Sequence, residues 1–153
     1  AGTKRYLALV RGAIPTRDPY VESRPLAVDG VDKEAETRLQ PLASSKDPRC
    51  SLVLAEPHTG RFHQIRRHLR GLSHPVLGDS THGDTRVNRT WRELGLHRLA
   101  LHCFQLTFAF DGETIDVEAP IPSDLAVWTQ LPLWPEAVAN LPVLGHLAPS
   151  EAP

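Results

Sequence analysis

The sequence has no methionine and only two cysteines, Cys50 and Cys103, in 153 residues. Two cysteines are too few for a disulfide framework or a cysteine zinc site. No run approaches the roughly 18 apolar residues of a membrane helix, and no segment has the pattern of a signal peptide. These absences predict a cytoplasmic protein that does not enter a membrane. The missing initiator methionine indicates a trimmed or processed piece of a longer protein.

Charged residues nearly balance, at a formal net charge of -1, but they are unevenly distributed along the chain. Residues 61–104 hold eight arginines against three acids, whereas residues 105–153 hold seven acids and no lysine or arginine. Arginine's planar, permanently charged group suits phosphates and base edges. The arginine block therefore indicates an anionic partner, although a solvated charged surface explains the composition equally well.

Apolar and charged residues, 41% and 23%, occur in the proportions of an ordinary globular protein. Strands are predicted at residues 6–10, 51–56 and 98–110, and an Asp111-Gly112 turn returns the last one through Ile115 and Val117. A weak strand at 36–42 would lie at a sheet edge because of Pro41. The pattern favours an α+β domain over residues 1–140, with a largely antiparallel (mixed) sheet flanked by a few helices, and a flexible tail over 141–153.

The other segments alternate between loops and helices. Residues 16–33 are predicted to be irregular, and residues 73–88 to form a functional loop. A short helical turn is expected at 91–96, and a last helix is expected to be capped by Ser123 and to carry Leu125 and Trp128.

Residues 61–70 are predicted to form an amphipathic helix that ends at Gly71. At about 100° per residue, one side carries the apolar residues Phe62, Ile65, Leu69 and Leu72. The opposite side is polar, and Arg66 lies at the border between the two. A border side chain can leave a packed face and enter a cleft, so Arg66 is the arginine expected to point into a pocket. A structural ion pair is an equally good explanation.

Neither a metal nor a nucleotide cofactor is predicted. His58, His63 and His68 recur every five residues, which on a helix turns each about 140° from the last, so they cannot converge on one ion. No nucleophile elbow and no glycine-rich phosphate or dinucleotide motif occurs.

Four motifs occur in order along the chain: Lys4-x-Tyr6-x-Ala8-Leu9-Val10-x-Gly12, Thr59-Gly60-Arg61-x-His63-Gln64-Ile65-Arg66-x-His68-Leu69, His74-Pro75-x-x-Gly78-Asp79, and Arg98-Leu99-x-Leu101-His102. In these motifs the chain resembles the ribosomal-large-subunit type of pseudouridine synthases, which isomerise uridine in RNA without a cofactor. The second motif is the most specific. The run from His82 to Arg89 resembles the members of the family that modify uridine 65 of tRNA.

The resemblance implies an enzyme whose partner is RNA, with tRNA as the expected substrate, and we expect a monomer. It implies that Arg66 pairs with the family's catalytic aspartate, and that Tyr6 stacks on the flipped base with its hydroxyl near the proton lost from carbon 5. Leu99 and Leu101 would lie beneath the base, although both also fit an ordinary core, as Tyr6 fits a half-buried strand position. RNA contacts are expected from Arg61, His63, Gln64, Arg67, Arg70, Arg86 and Arg89.

His63 and Gln64 have a second explanation, since both could fix the turn between strand and helix through backbone hydrogen bonds. Two other functional interpretations stay open for the chain as a whole. One is a sibling enzyme that modifies ribosomal RNA, and the other is a non-catalytic RNA-binding module that uses the same arginines.

The family's catalytic aspartate stands in an Arg-Leu-Asp-x-x-Thr-Ser-Gly motif, which residues 1–153 do not contain. The similar run His97-Arg98-Leu99 has Ala100 in the place of the aspartate, and Asp79 and Asp84 belong to the predicted loop. We therefore expect the chain to be the C-terminal part of a catalytic domain and to be inactive alone. Release of tritium from carbon 5 of uridine by the 153-residue chain would contradict that expectation.

Overall fold

A computed structural model describes residues 2–149. The strands are β1 (Thr3–Arg11), β2 (Tyr20–Glu22), β3 (Leu26–Val28), β4 (Val31–Lys33), β5 (Thr37–Lys46), β6 (Arg49–Pro57), β7 (Leu101–Phe110) and β8 (Glu113–Glu118). The helices are α1 (Gln64–Gly71), α2 (Thr85–Glu93), α3 (Trp134–Asn140) and α4 (Val143–Leu147), with a 3-10 helix at Ser123–Gln130. Over this range no helix is both long enough and apolar enough to cross a membrane.

Six strands form one sheet in the order β2-β5-β6-β1-β7-β8, while β3 and β4 form a separate hairpin. Within residues 2–149 every pairing between these strands is antiparallel, which confirms the predicted α+β class. β1 lies inside the sheet, and its residues 7–10 are buried whichever way they point. Both faces of the sheet are therefore covered at this position, which explains the continuous apolar run in the sequence.

The predicted hairpin between β7 and β8 is confirmed. Asp111 and Gly112 have φ values of 51° and 78°. Two successive left-handed residues are the requirement of the tight turn that matches the twist of paired strands.

The prediction of an irregular segment at residues 16–33 was wrong, because β2, β3 and β4 lie within it. Each of these strands has only three residues. A strand of that length is too short to produce a readable alternation of apolar and polar residues.

Pro41 lies in β5, and this strand has β6 on one side and the short β2 on the other. β5 is therefore an edge strand over only part of its length. β2 pairs with Thr37–Leu39 alone, and Pro41 comes after this stretch, where the register with β6 also shifts. β2 therefore does not extend to Pro41, in agreement with the rule that confines proline to unpaired edges and bulges.

Helix α1 begins three residues later than predicted. His63 has a left-handed backbone, with φ of 51°, and the helix can begin only after it. Ile65 and Leu69 are buried as expected, but Phe62 lies outside the helix and is 71% exposed. The placement of Phe62 on the buried side of the helix was therefore wrong. Gly71 is the last helical residue, and the left-handed residue that follows is Ser73.

Helix α2 begins inside the segment predicted as a loop. Asp84 is its N-cap, and the carboxylate accepts hydrogen bonds from the backbone N–H groups of Arg86 and Val87. The helix includes residues 91–93 of the turn predicted at 91–96, and it buries Trp91. The cap signal of Asp84 was present in the sequence, but the surrounding glycines and polar residues concealed it.

The C-terminal segment contains the 3-10 helix and the helices α3 and α4. Leu125 and Trp128 of the 3-10 helix are fully buried, although Pro122 and not Ser123 occupies the N-cap position. Residues 141–149 include α4, whose Leu144 and Leu147 are buried. The expected flexibility stays a prediction, and residues 150–153 of the predicted tail lie outside the described part of the chain.

Candidate active site

A cleft of about 580 Å³ brings together three segments that are distant in sequence. These are the beginning of β1, the turn from the end of β6 into α1, and the residues around the start of β7. The predicted site residues that line the cleft are Tyr6, Arg61, His63, Gln64, Arg66, Leu99 and Leu101. Arg66 thus lies in the wall of the same hollow as Tyr6.

The register of the sheet places Tyr6 and Leu101 on one face. Tyr6 of β1 pairs with Cys103 of β7, and Ala8 pairs with Leu101. Residues two apart on a strand project to the same side, and paired residues do so as well, so these side chains share a face. Burial, and then the neighbouring Cys103, raise the pKa of Tyr6, so its phenol is protonated at neutral pH.

Arg66 makes a two-pronged ion pair with Asp79. Its Nε donates to Oδ2 and its Nη2 donates to Oδ1 of Asp79, both at 2.8 Å. The Asp79 side chain is 0% exposed and the Arg66 side chain 16%, so water screens this pair poorly. The structural ion pair that the sequence left open is therefore present, and it holds the guanidinium at the wall of the cleft.

The loop around Asp79 is built to keep this carboxylate ionised. Burial alone would raise its pKa, but hydrogen bonds from Arg66 and from the backbone N–H groups of His82 and Thr81 outweigh burial and lower the pKa to about 2. At Gly78 the backbone has φ of 78°, and a Cβ there would collide with the carbonyl of Arg98. Only glycine allows this close approach, which brings Asp79 under Arg66.

Two histidines extend the network from Arg66. Nη1 of Arg66 lies 3.0 Å from Nε2 of His63, and Nδ1 of His63 lies 3.0 Å from Nε2 of His82. An arginine can only donate, so Nε2 of His63 must be the acceptor and Nδ1 must carry the proton. The proton on Nδ1 then requires an unprotonated Nε2 on His82. Both imidazoles are therefore neutral in this arrangement.

The pKa of His82 provides a test of this network. Burial, followed by Arg66, His63 and Arg70, lowers the pKa and outweighs the opposite effect of Asp79. We therefore expect an NMR titration to give His82 a pKa below the ordinary value of about 6.5. Since the unfolded chain takes up this proton first, the contribution of His82 to stability is present above about pH 6.5 and is lost as the pH falls through the folded-state pKa. A measured value at or above 6.5 would contradict the assigned hydrogen bonds.

Gln64 has the structural role that the sequence left open. It is only 5% exposed. Its Nε2 donates to the carbonyl of Glu36 and to Oγ1 of Thr37, and its Oε1 accepts from Thr59 and from the backbone N–H of Arg61. With both N–H bonds used inside the protein, Gln64 joins the turn before α1 to the start of β5, and few of its atoms remain for an RNA contact.

The arginines that were predicted to contact RNA fall into two groups. Arg61 and Arg67 are partly used in the fold, since Arg61 donates to the carbonyl of Glu34 and Arg67 donates to the carbonyls of Phe62 and Ala27. Arg70, Arg86 and Arg89 are exposed, and they lie outside the lining of the cleft. The structure thus places some of the residues predicted to contact RNA in the lining of the cleft and others outside it.

Sequence reasoning missed three residues of this site. Asp79 was treated as a loop-shaping residue, His82 was used only as a mark of resemblance, and Lys4, which lines the cleft, was left out. The pairing of Asp79 with Arg66 spans 13 residues of irregular chain. No periodicity relates positions across such a loop.

Over residues 2–149 no group of three or more histidines, cysteines or acids is arranged to hold a metal ion.

Comparison with known proteins agrees with the motifs. The profile described as RNA pseudouridylate synthase matches residues 2–70. The chain is 37% identical to tRNA pseudouridine synthase C of Salmonella typhi over 84% of this chain and 56% of that protein. It is 34% identical to ribosomal large subunit pseudouridine synthase C of Pasteurella multocida over 80% of this chain and 41% of that protein. The chain therefore spans about half the length of the curated relatives that it matches.

A solved structure shows the same likeness in three dimensions. The human RNA pseudouridylate synthase domain containing 1 superposes with a TM-score of 0.64 at 33% identity, over 79% of this chain and 55% of that one. The profile match includes both Tyr6 and Arg66, the two residues that the fold brings to one cleft. The chain is therefore similar to RNA pseudouridylate synthases in its sequence and in its fold.

Proposed function

We propose that this chain forms part of a cytoplasmic, monomeric enzyme that converts uridine to pseudouridine in RNA without a cofactor. Its proposed substrate is tRNA, and the proposed target is uridine 65. The observation that carries the proposal is the joint presence of Tyr6 and Arg66 in one cleft, with Leu99 and Leu101 in its wall. These are the positions that match the family's base-stacking, ion-pairing and apolar base contacts.

The shape and lining of the cleft suit a uracil taken out of its helix. Protein side chains cannot reach the glycosidic bond of a base that is stacked inside a duplex, so the target nucleotide must be extruded. The phenol ring of Tyr6 supplies an aromatic surface for the extruded base, and Leu101 supplies an apolar one on the same sheet face. Because the raised pKa keeps the Tyr6 hydroxyl protonated, we assign it stacking and a hydrogen bond in the resting enzyme.

Arg66 is suited to hold an acid at the reacting sugar. A guanidinium has five N–H donors, and three of those of Arg66 are used by Asp79 and His63. Asp79 itself is a poor candidate for the nucleophile, since both of its oxygens accept hydrogen bonds in a buried position. In the proposal Asp79 orients Arg66, and the two remaining donors of Arg66 engage the family's catalytic aspartate.

The direct test is release of tritium from RNA that carries the isotope at carbon 5 of uridine. Isomerisation exchanges that hydrogen, so the full-length protein is expected to release tritium from tRNA transcripts. Replacing uridine 65 by cytidine in the transcript should abolish the release if the target is correct. No release from any RNA would contradict the proposed activity, whereas continued release from the altered tRNA would contradict only the position.

Ribosomal RNA is the second candidate substrate, because one of the similar proteins is named as a ribosomal large subunit enzyme. The same assay with ribosomal RNA decides between the two. A non-catalytic RNA-binding module would bind these RNAs and release no tritium from either.

The exposed arginines predict a salt-dependent affinity for RNA. We expect Arg70→Ala, Arg86→Ala and Arg89→Ala each to reduce the slope of log K against log salt by about one, if each neutralises one phosphate. Arg49 is also exposed but is the first residue of β6, at the opposite end of this strand from the cleft, so Arg49→Ala is the matched control. Equal slopes for these variants and the control would remove the three arginines from the proposed RNA surface.

A further inference from the structure

Phe62 is an exposed aromatic residue at the edge of the cleft, and nothing in the packing of the domain accounts for it. Its side chain is 71% exposed, and it lies between the cleft-lining residues Arg61 and His63. Of the phenylalanines in the described residues, only Phe62 and Phe110 are more than half exposed, and Phe110 belongs to the hairpin end of β7. Leaving a large apolar ring in water forgoes the stabilisation that burial would give.

The ring of Phe62 is nevertheless held in a defined position. It stacks on the imidazole of His63, with centroids 3.7 Å apart and planes at 22°. His63, the residue on which it stacks, has a left-handed backbone. Both nitrogens of His63 are fixed by Arg66 and His82, and the carbonyl of Phe62 accepts a hydrogen bond from Arg67. One face of the ring is thus supported, and the exposed area belongs to its other face and its edges.

A flat, supported, solvent-facing ring beside a basic cleft matches the chemistry of an unpaired nucleobase. Every base has an apolar face that stacks on an aromatic ring, and the attached phosphates are complementary to the nearby Arg61, Arg67 and Arg70. When one nucleotide is extruded, the adjacent base loses a stacking neighbour. The unstacked base is therefore a suitable occupant for the exposed face of Phe62. The positive charge around the ring favours a nucleic acid over a protein partner.

We propose that Phe62 stacks on the nucleobase adjacent to the uridine that enters the cleft. The inference rests on the proposed function and extends it, because it assigns a second base-binding position to the same site. Stacking does not distinguish bases by hydrogen bonding, so Phe62 contributes affinity and placement with little preference for the identity of its base. His63 acts as the backing of this platform and is a positioning residue.

The test compares variants of Phe62 in the full-length protein bound to a tRNA stem-loop. The expected increase in Kd for Phe62→Ala is about 5- to 150-fold, the range that corresponds to losing one stacked base. Phe62→Trp should retain the affinity, and Phe62→Leu should lose most of it because leucine is apolar but has no aromatic face. Phe110→Ala removes a similarly exposed phenylalanine outside the cleft and should leave Kd unchanged. Since both side chains are exposed, the variants are expected to have the same melting temperature as the unaltered protein. Circular dichroism measures this temperature.

A fluorescent base gives the position of the contact. With 2-aminopurine placed next to the target uridine, binding should quench its emission in the unaltered protein and in Phe62→Trp, but not in Phe62→Ala. If Phe62→Ala binds RNA as tightly as Phe110→Ala does, or if Phe62→Leu retains full affinity, the stacking proposal is overturned while the proposed function stands. If the unaltered protein neither binds these RNAs nor releases tritium from them, both are overturned.

Discussion

Replacing Arg66 by alanine is expected to reduce turnover of the full-length protein by about 10²- to 10³-fold, with RNA affinity preserved within about threefold. The loss has the size found when one fixed hydrogen-bond donor is removed from an active site. RNA affinity should survive because Arg66 is mostly buried, with 16% of its side chain exposed, and other arginines face the solvent. Single-turnover tritium release and a separate binding measurement distinguish the two quantities.

Two further variants make this result interpretable. Arg66→Lys keeps a positive charge for Asp79 but lacks the planar fork, so its turnover should also be low while its folding is better preserved. Arg49→Ala removes an exposed arginine distant from the cleft and should leave turnover unchanged. If turnover and RNA affinity fall by the same factor in Arg66→Ala, Arg66 serves binding alone and the catalytic proposal for it is wrong.

Replacing Asp79 by alanine is expected to lower the free energy of unfolding by about 3–5 kcal/mol. The substitution leaves the mostly buried guanidinium of Arg66 without its partner, and it also removes the acceptor of the N–H groups of Thr81 and His82. Urea denaturation at neutral pH measures the change. Asp124→Ala is the matched control, because Asp124 pairs with Arg98 at the surface with 59% of its side chain exposed, and such pairs contribute at most about 1 kcal/mol.

The pH dependence gives Asp79 a second signature. Its pKa is lowered to about 2 in the folded protein, below the ordinary value of about 3.9 for an aspartate. An acid with a lowered pKa contributes stability above its unfolded-state value, and this contribution is lost as the pH falls through the folded-state value. The unaltered protein should therefore lose stability between about pH 4 and pH 2 more steeply than Asp79→Ala does. Equal stability losses in the two proteins over this range would contradict the assigned ion pair.

Asp79 and Phe62 show where reasoning from sequence ends. Arg66 could be selected from the helical wheel because its position relative to Ile65 and Leu69 is a local property of one segment. The partner of Arg66 could not be selected, because Asp79 is separated from it by an irregular loop. Phe62 was assigned to the buried side of α1 because the wheel assumes a helix that starts at residue 61. The left-handed backbone of His63 delays the start of α1 to Gln64, so Phe62 lies outside the helix.

The amino-acid order by itself determined the α+β class, the main strands, the β7–β8 hairpin and the candidate residues Tyr6 and Arg66. Each of these depends on contacts or periodicities within a few residues, or on motifs that can be read directly. Tertiary structure alone decided that Tyr6, Arg66 and Leu101 share one cleft, that Asp79 holds Arg66, and that Phe62 faces water. Those outcomes depend on how β1 pairs with β7 and how the loop after α1 folds back, and such long-range closure leaves no local pattern in the chain.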